Sequence, residues 1–132
     1  MPKQVPAALE AHILPFHWDV RKVWALDSEP VAVPVSDFVY LLELPLWSSV
    51  PDQGLLFDVC PMQVIRDPRA SAHQTRRLNN ADLRYPIDVL LISEKRWILD
   101  GVHRIAKHFA QNHSTLLARF HDESVIPFIR QG

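Results

Sequence analysis

The sequence predicts an α+β fold: one compact domain with a small mixed β-sheet and helices packed on it. Three observations carry that expectation. The chain has 132 residues, of which 48% are hydrophobic and 22% charged, an ordinary composition for one soluble globular domain. Short apolar runs such as Ile87–Ile92 (IDVLLI) have strand length and composition. Between them lie stretches with apolar residues at helical spacing, the clearest being Val102, Ile105, Ala106 and Phe109.

The elements follow in order. Residues 1–15 carry three prolines and little periodicity and read as an arm over the surface; residues 1–30 as a whole form an arm plus one ambiguous element, and 31–132 the domain proper. Within His17–Leu26, Val20, Val23 and Trp24 favour a short helix over the alternation of Phe16, Trp18 and Val20. Val31–Val35 is β-branched, and Pro34 makes it an edge or terminal strand. Ser36 suits an N-cap and Asp37 a helical first turn, with Phe38, Leu41 and Leu42 as the apolar stripe and Pro45 as the stop. Residues 45–70, with four prolines and Gly54, show only a short strand near Leu55–Val59.

Ser71–Leu83 reads as a helix opened by a capping box of Ser71 and Gln74, with His73 and Arg77 one turn apart on one face. Tyr85-Pro86 ends it. Ile87–Ile92 is a buried strand, Ser93–Arg96 a polar turn, Trp97–Leu99 a second strand, and Asp100-Gly101 the turn into a helix reaching about Asn112. Thr115–Phe120 is a further strand, and Val125, Ile126 and Phe128 make the tail apolar enough to dock.

Composition removes several function classes. Of three glycines one is terminal, so neither G-x-G-x-x-G nor a Walker P-loop can be written. Any phosphate would be held by side chains and a helix end. One cysteine forbids an internal disulfide and a Cys₄ or Cys₂His₂ zinc site, and Cys60 reads as an inert buried thiol. The net charge of −1 argues against DNA as a partner. No apolar run approaches membrane-spanning length and no signal-peptide pattern opens the chain, so a cytoplasmic protein is expected.

The chemistry concentrates at Trp97–Lys107: a strand, a tight turn and a helix N-terminus, where orphan N–H groups and the helix dipole favour an anion. Gly101 lets a ligand approach the backbone at Val102, Arg104 can clamp a phosphate or carboxylate, His103 lies in the same turn, and Asp100 could hold Mg²⁺ beside bound phosphates. The blander reading stays open: Asp100 an N-cap, Gly101 a turn residue, Arg104 a solvated charge. His73 and Arg77 could line the opposite wall of an anion pocket, or form only the basic face of a surface helix. His12, His17, His113 and His121 show no metal-ligand spacing, and His103 and His108, five apart, do not share a helix face. The four tryptophans read as core or rim packing, with Trp97 close enough to the turn to flank a base or sugar.

Leu99-Asp-Gly-Val-His-Arg-Ile-Ala-Lys107, after a strand and a Trp, resembles the phosphate-binding signature of ParB/sulfiredoxin-like domains. The upstream runs His73–Arg77 and Ala81–Ile87 are similar to the helix and strand that precede it there, so the likeness spans roughly 31–120. Sulfiredoxins carry a catalytic cysteine directly before the His-Arg pair; here that position is Val102. Chromosome-partition ParB proteins have G-E-R-R, and that glutamate is missing here. The motif is most similar to the D-G-H-H-R form of free-serine kinases. That resemblance implies binding of a nucleoside triphosphate or diphosphate with Mg²⁺, or of another small phosphorylated ligand, with phosphoryl transfer or NTP hydrolysis as the reaction class. It implies catalytic roles for Asp100 and His103 and a carboxylate base near the first strand, for which Asp37 is the nearest counterpart. A non-catalytic ligand- or protein-binding module and a nuclease are the alternatives. Nothing in the sequence sets the oligomeric state.

Overall fold

The computed structural model describes residues 14, 16–49 and 58–131. Most of the N-terminal arm, Gly54 and most of the stretch Leu55–Val59 lie outside the described residues; Val59 itself makes an isolated bridge with Trp47. Among the described residues four strands form one mixed sheet: β1 (Val31–Pro34), β2 (Ile87–Ile92), β3 (Lys95–Asp100) and β4 (Thr115–Asp122), in the order β1-β4-β2-β3. β2 runs parallel to β4 and antiparallel to β3, and β1 is the antiparallel edge strand beyond β4. The helices are α1 (Val20–Trp24), α2 (Pro61–Arg66), α3 (Ala72–Asn80), α4 (Val102–Ala110) and α5 (Ile126–Ile129). The α+β architecture is as the sequence predicts. No described helix is long and apolar enough to cross a membrane.

β2 is the centre of the molecule and is flanked on both edges, which explains its nearly unbroken apolar run. Its side chains alternate between two cores. Ile87 and Val89 join Phe38, Leu42, Ile105, Ala106, Leu116 and Ala118 in the larger core, under α2, α4 and a 3₁₀ helix over Val35–Glu43. Leu90 joins Val23, Leu99 and Ile129 in the smaller one, beneath α1 and α5. Asp88 shares that second face and is buried, 2% exposed, in the middle of the apolar strand.

Several expectations need correction. Ser36 is not a cap: Pro34 stands at the N-cap position, and β1 feeds straight into a nine-residue 3₁₀ helix. α2 falls in the 45–70 stretch, where the sequence shows only a short strand. Pro61 sits at the first helical position, where its missing N–H costs nothing, and Gln63 Oε1 accepts from the Cys60 backbone N–H at 2.7 Å. α3 ends at Asn80 rather than Leu83. Ser71 caps it by accepting from Gln74 N–H, but the Gln74 side chain turns away to Ser48, so the capping box is only half made. The polar turn shrinks to Ser93-Glu94, both at positive φ (49° and 68°), as a two-residue hairpin loop requires. Lys95 and Arg96 therefore belong to β3. In the tail, Ile129 is buried while Phe128 is 71% exposed. Cys60 is partly exposed, its Sγ donates to Glu43 carbonyl at 3.3 Å, and partial burial pushes its pKa up.

Candidate functional site

The chain leaves β3 through a register shift opposite Asp88 and Val89, then turns at Gly101 into α4. Gly101 has φ 122° and stands at the N-cap of α4. A Cβ there would lie 2.5 Å from Ile87 Cγ2 and 3.1 Å from Ile87 Cα, so the residue is glycine both for its backbone conformation and for close packing on β2. With no side chain at the cap, the N–H groups of Val102, His103 and Arg104 precede the first helical bond, Ile105 N–H to Gly101 carbonyl. Asp100 is therefore not the N-cap. Its Oδ2 accepts from Arg104 Nη2 and from Trp24 Nε1, both at 2.8 Å.

A cleft of about 370 Å³ opens over this turn, lined by Trp24, Arg77, Asn80, Ala81, Asp82, Asp100, Gly101, His103 and Arg104. Arg77 thus forms the opposite wall, as expected from its place on α3. Lys107 locks that wall to α4 by donating to the Asn79 and Ala81 carbonyls, each at 2.8 Å, at the end of α3 where carbonyls lack helical partners. No ion pair among the described residues engages Arg77, while Asp82 is bound by Arg84 and Asp100 by Arg104. A second cleft of about 470 Å³ shares Trp24 and Arg104 with the first and adds Tyr85, Pro86, Asp88 and Arg119. Trp24 and Tyr85 expose 57% and 59% of their surface at its rim, and Arg104 Nε is buried without a hydrogen-bond partner.

His103 lines the cleft, and its ring is held by two remote partners. Its ring stacks on Trp47 with centroids 4.3 Å apart and an interplanar angle of 9°. Its Nε2 lies 2.7 Å from Gln74 Oε1, and Gln74 Nε2 donates to Ser48 carbonyl, so the amide orientation makes His103 Nε2 the donor and leaves Nδ1 unprotonated. Burial, reinforced by the charges of Arg77 and His73, lowers its pKa to about 4. His103 is therefore neutral at pH 7 and braces α3 and the 47–49 strip against α4. His73 is half-buried and acts on the ring through its charge but does not line the cleft.

The pH consequence follows by linkage. The unfolded chain takes up a proton at about pH 6.5, the folded chain only near pH 4. Between those values the unfolded state holds more protons, so stability is complete above pH 6.5 and falls as pH drops towards 4. The loss is about 3 kcal/mol at most. Melting temperatures from pH 7.5 to 4 should fall more steeply for the wild type than for His103→Gln; parallel curves would contradict this assignment.

Asp37 is not at the turn. It pairs with Arg96 Nη1 at 3.5 Å near the hairpin end of β3, and Arg96 stands four strand positions, roughly 13 Å, from Asp100. Trp97 does not flank the cleft either; it packs in the smaller core, with the Lys95 ammonium 4.3 Å above its ring. Among the described residues no three His, Cys, Asp or Glu side chains gather as a metal cage. Asp100 is already neutralised by Arg104, so the donor set does not fit a resident metal ion, and no step is assigned to one.

Sequence reasoning missed Trp24, Tyr85 and the buried group Asp88–Arg119–His121. Asp88 Oδ1 accepts from Arg119 Nε at 2.8 Å and lies 2.9 Å from His121 Nε2. Arg119 also donates to the Val23 and Leu26 carbonyls, capping the end of α1 that carries Trp24. A signal for the group was present: one aspartate inside an otherwise apolar strand, and Arg119 and His121 alternating with Ala118 and Phe120. Comparison with protein-family models, with curated proteins and with solved structures finds no match to the chain.

Proposed function

We propose that the chain binds a nucleotide or another small phosphorylated molecule at the Gly101 turn, as a binding module rather than a phosphotransferase. The observation that carries this is the facing of Arg77 and the uncapped start of α4 across one cleft. Three backbone N–H groups, the helix dipole and a guanidinium without an ion pair converge there, a combination that suits a phosphate. The adjoining cleft under Trp24 and Tyr85 suits a planar ring, and both volumes lie in the range of small-molecule sites. The likeness of the Asp-Gly-Val-His-Arg run to the ParB/sulfiredoxin-like signature supports the same reading. Binding is favoured over transfer because the cleft offers no poised base: Asp82 and Asp100 are held by arginines, His103 resists protonation down to about pH 4, and Asp37 is elsewhere.

Thermal shift with a panel of nucleoside di- and triphosphates and inorganic phosphate, with and without Mg²⁺, tests this. A ligand at about 100 times its Kd adds about 2.7 kcal/mol, a rise of several degrees. Arg77→Ala should abolish the shift without lowering the melting temperature of the free protein, because Arg77 is exposed. No shift with any ligand, or an undiminished shift in Arg77→Ala, would overturn the proposal.

A further inference from the structure

α4 ends in a way that brings together two histidines whose sequence spacing hides them. Residues five apart do not share a face of a continuous helix. The helix, however, stops: Asn112 adopts φ 60°, its N–H bonds the Phe109 carbonyl at 3.0 Å, and His113 N–H bonds the His108 carbonyl at 3.0 Å. This is the Schellman closure, in which the residue after the left-handed position folds back over the residue five before it, normally with an apolar contact between the two. Here that contact is made by two imidazoles. His108 Nδ1 and His113 Nδ1 are 2.9 Å apart, with the rings inclined at 62°. His108 is buried at 9% exposure and His113 is open to solvent.

From this juxtaposition we infer that His108 and His113 form a two-nitrogen clip for a divalent transition-metal ion, with Cu²⁺ preferred. The 2.9 Å separation is the hydrogen bond of the metal-free pair, and rotation of the exposed His113 ring turns both Nδ1 lone pairs onto one ion. The Irving–Williams order then places Cu²⁺ first. The two backbone bonds hold both Cα positions, so little ordering remains to oppose binding. Each ring must present a bare Nδ1; the ring that donates in the free protein moves that proton to Nε2, which leaves the net charge of the pair unchanged. Water completes the coordination on the exposed His113 side. The clip lies at the C-terminal end of α4, away from the Gly101 turn, and does not depend on the phosphate-site reading.

The experiment is titration of the full chain with Cu²⁺ and Zn²⁺ at pH 7.5, followed by calorimetry and by electron paramagnetic resonance of the Cu²⁺ form. One saturable Cu²⁺ site is expected, at least tenfold tighter than for Zn²⁺, with hyperfine structure from two nitrogens. His113→Gln should remove it while leaving the melting temperature of the metal-free protein unchanged, because His113 is exposed. His17→Gln should bind like the wild type. Retention of the site in His113→Gln, tighter binding of Zn²⁺ than Cu²⁺, or a one-nitrogen spectrum would each overturn the assignment.

Discussion

Gly101→Val is expected to abolish ligand binding at the turn and to destabilise the protein by about 3–5 kcal/mol, the sum of two independent costs. The first is conformational. At φ 122° a residue with a Cβ is strained whatever space surrounds it, at about 1–3 kcal/mol. The second is steric. The new Cβ would meet Ile87 Cγ2 at 2.5 Å and the Ile87 backbone at 3.1 Å, and valine adds two methyl groups beyond it. Ile87 opens β2 and is 1% exposed in the larger core, so it cannot swing aside. Against a total stability of about 5–15 kcal/mol, the combined loss leaves little reserve. Urea unfolding measures it, and Gly101→Ala supplies a graded partner with the same strained backbone and a smaller clash. A Gly101→Ala loss below about 1 kcal/mol would show that the turn relaxes and that the packing on Ile87 is not binding on it.

Asp88→Ala should cost about 3–5 kcal/mol, because it leaves the Arg119 guanidinium buried without its counter-charge. Asp88 is 2% exposed and receives Arg119 and His121 on one oxygen. The damage would spread beyond the sheet. Arg119 holds the Val23 and Leu26 carbonyls, so its release loosens α1 and with it Trp24, which borders both clefts. Asp88→Asn keeps an acceptor and loses only the charge, so its loss should be smaller. Denaturant melts give the stabilities. A full loss in Asp88→Ala with almost none in Asp88→Asn would locate the stabilisation in shape and hydrogen bonding and remove the ion pair from the account.

The candidate site was legible in the sequence to the extent that it was local. Gly101, the start of α4 and the helical placement of Arg77 are encoded within a few residues of themselves, by a glycine at a turn and by 3.6-residue periodicity. The ring partners of His103 were not legible because they are remote: Gln74 lies 29 residues away, and the stacking tryptophan is Trp47. Nothing near His103 announces that it will face inward and stay neutral. Asp37 lies away from the turn for a related reason. Its proximity to the first strand in sequence says nothing about which end of β3 that strand's neighbours reach, and Arg96 claims it instead. The missed histidine clip shows the opposite limit, since a helical wheel assumes that the helix continues through Asn112, and it does not.

The sequence by itself determined the class of fold, the strand β2, the helix α4 and the glycine turn joining strand to helix. Each rests on periodicity, turn chemistry or steric preference acting over about four to eleven residues. Only the tertiary structure decided which charges remain free. Arg104 is drawn to Asp100 and shares it with Trp24, 76 residues away, while Arg119 reaches back 93 residues to Leu26, and Arg77 is left facing the cleft. The physical reason is that a buried or half-buried charge takes whichever counter-charge or carbonyl the packed core brings within about 3 Å, and that choice is made by the sheet order and the helix contacts.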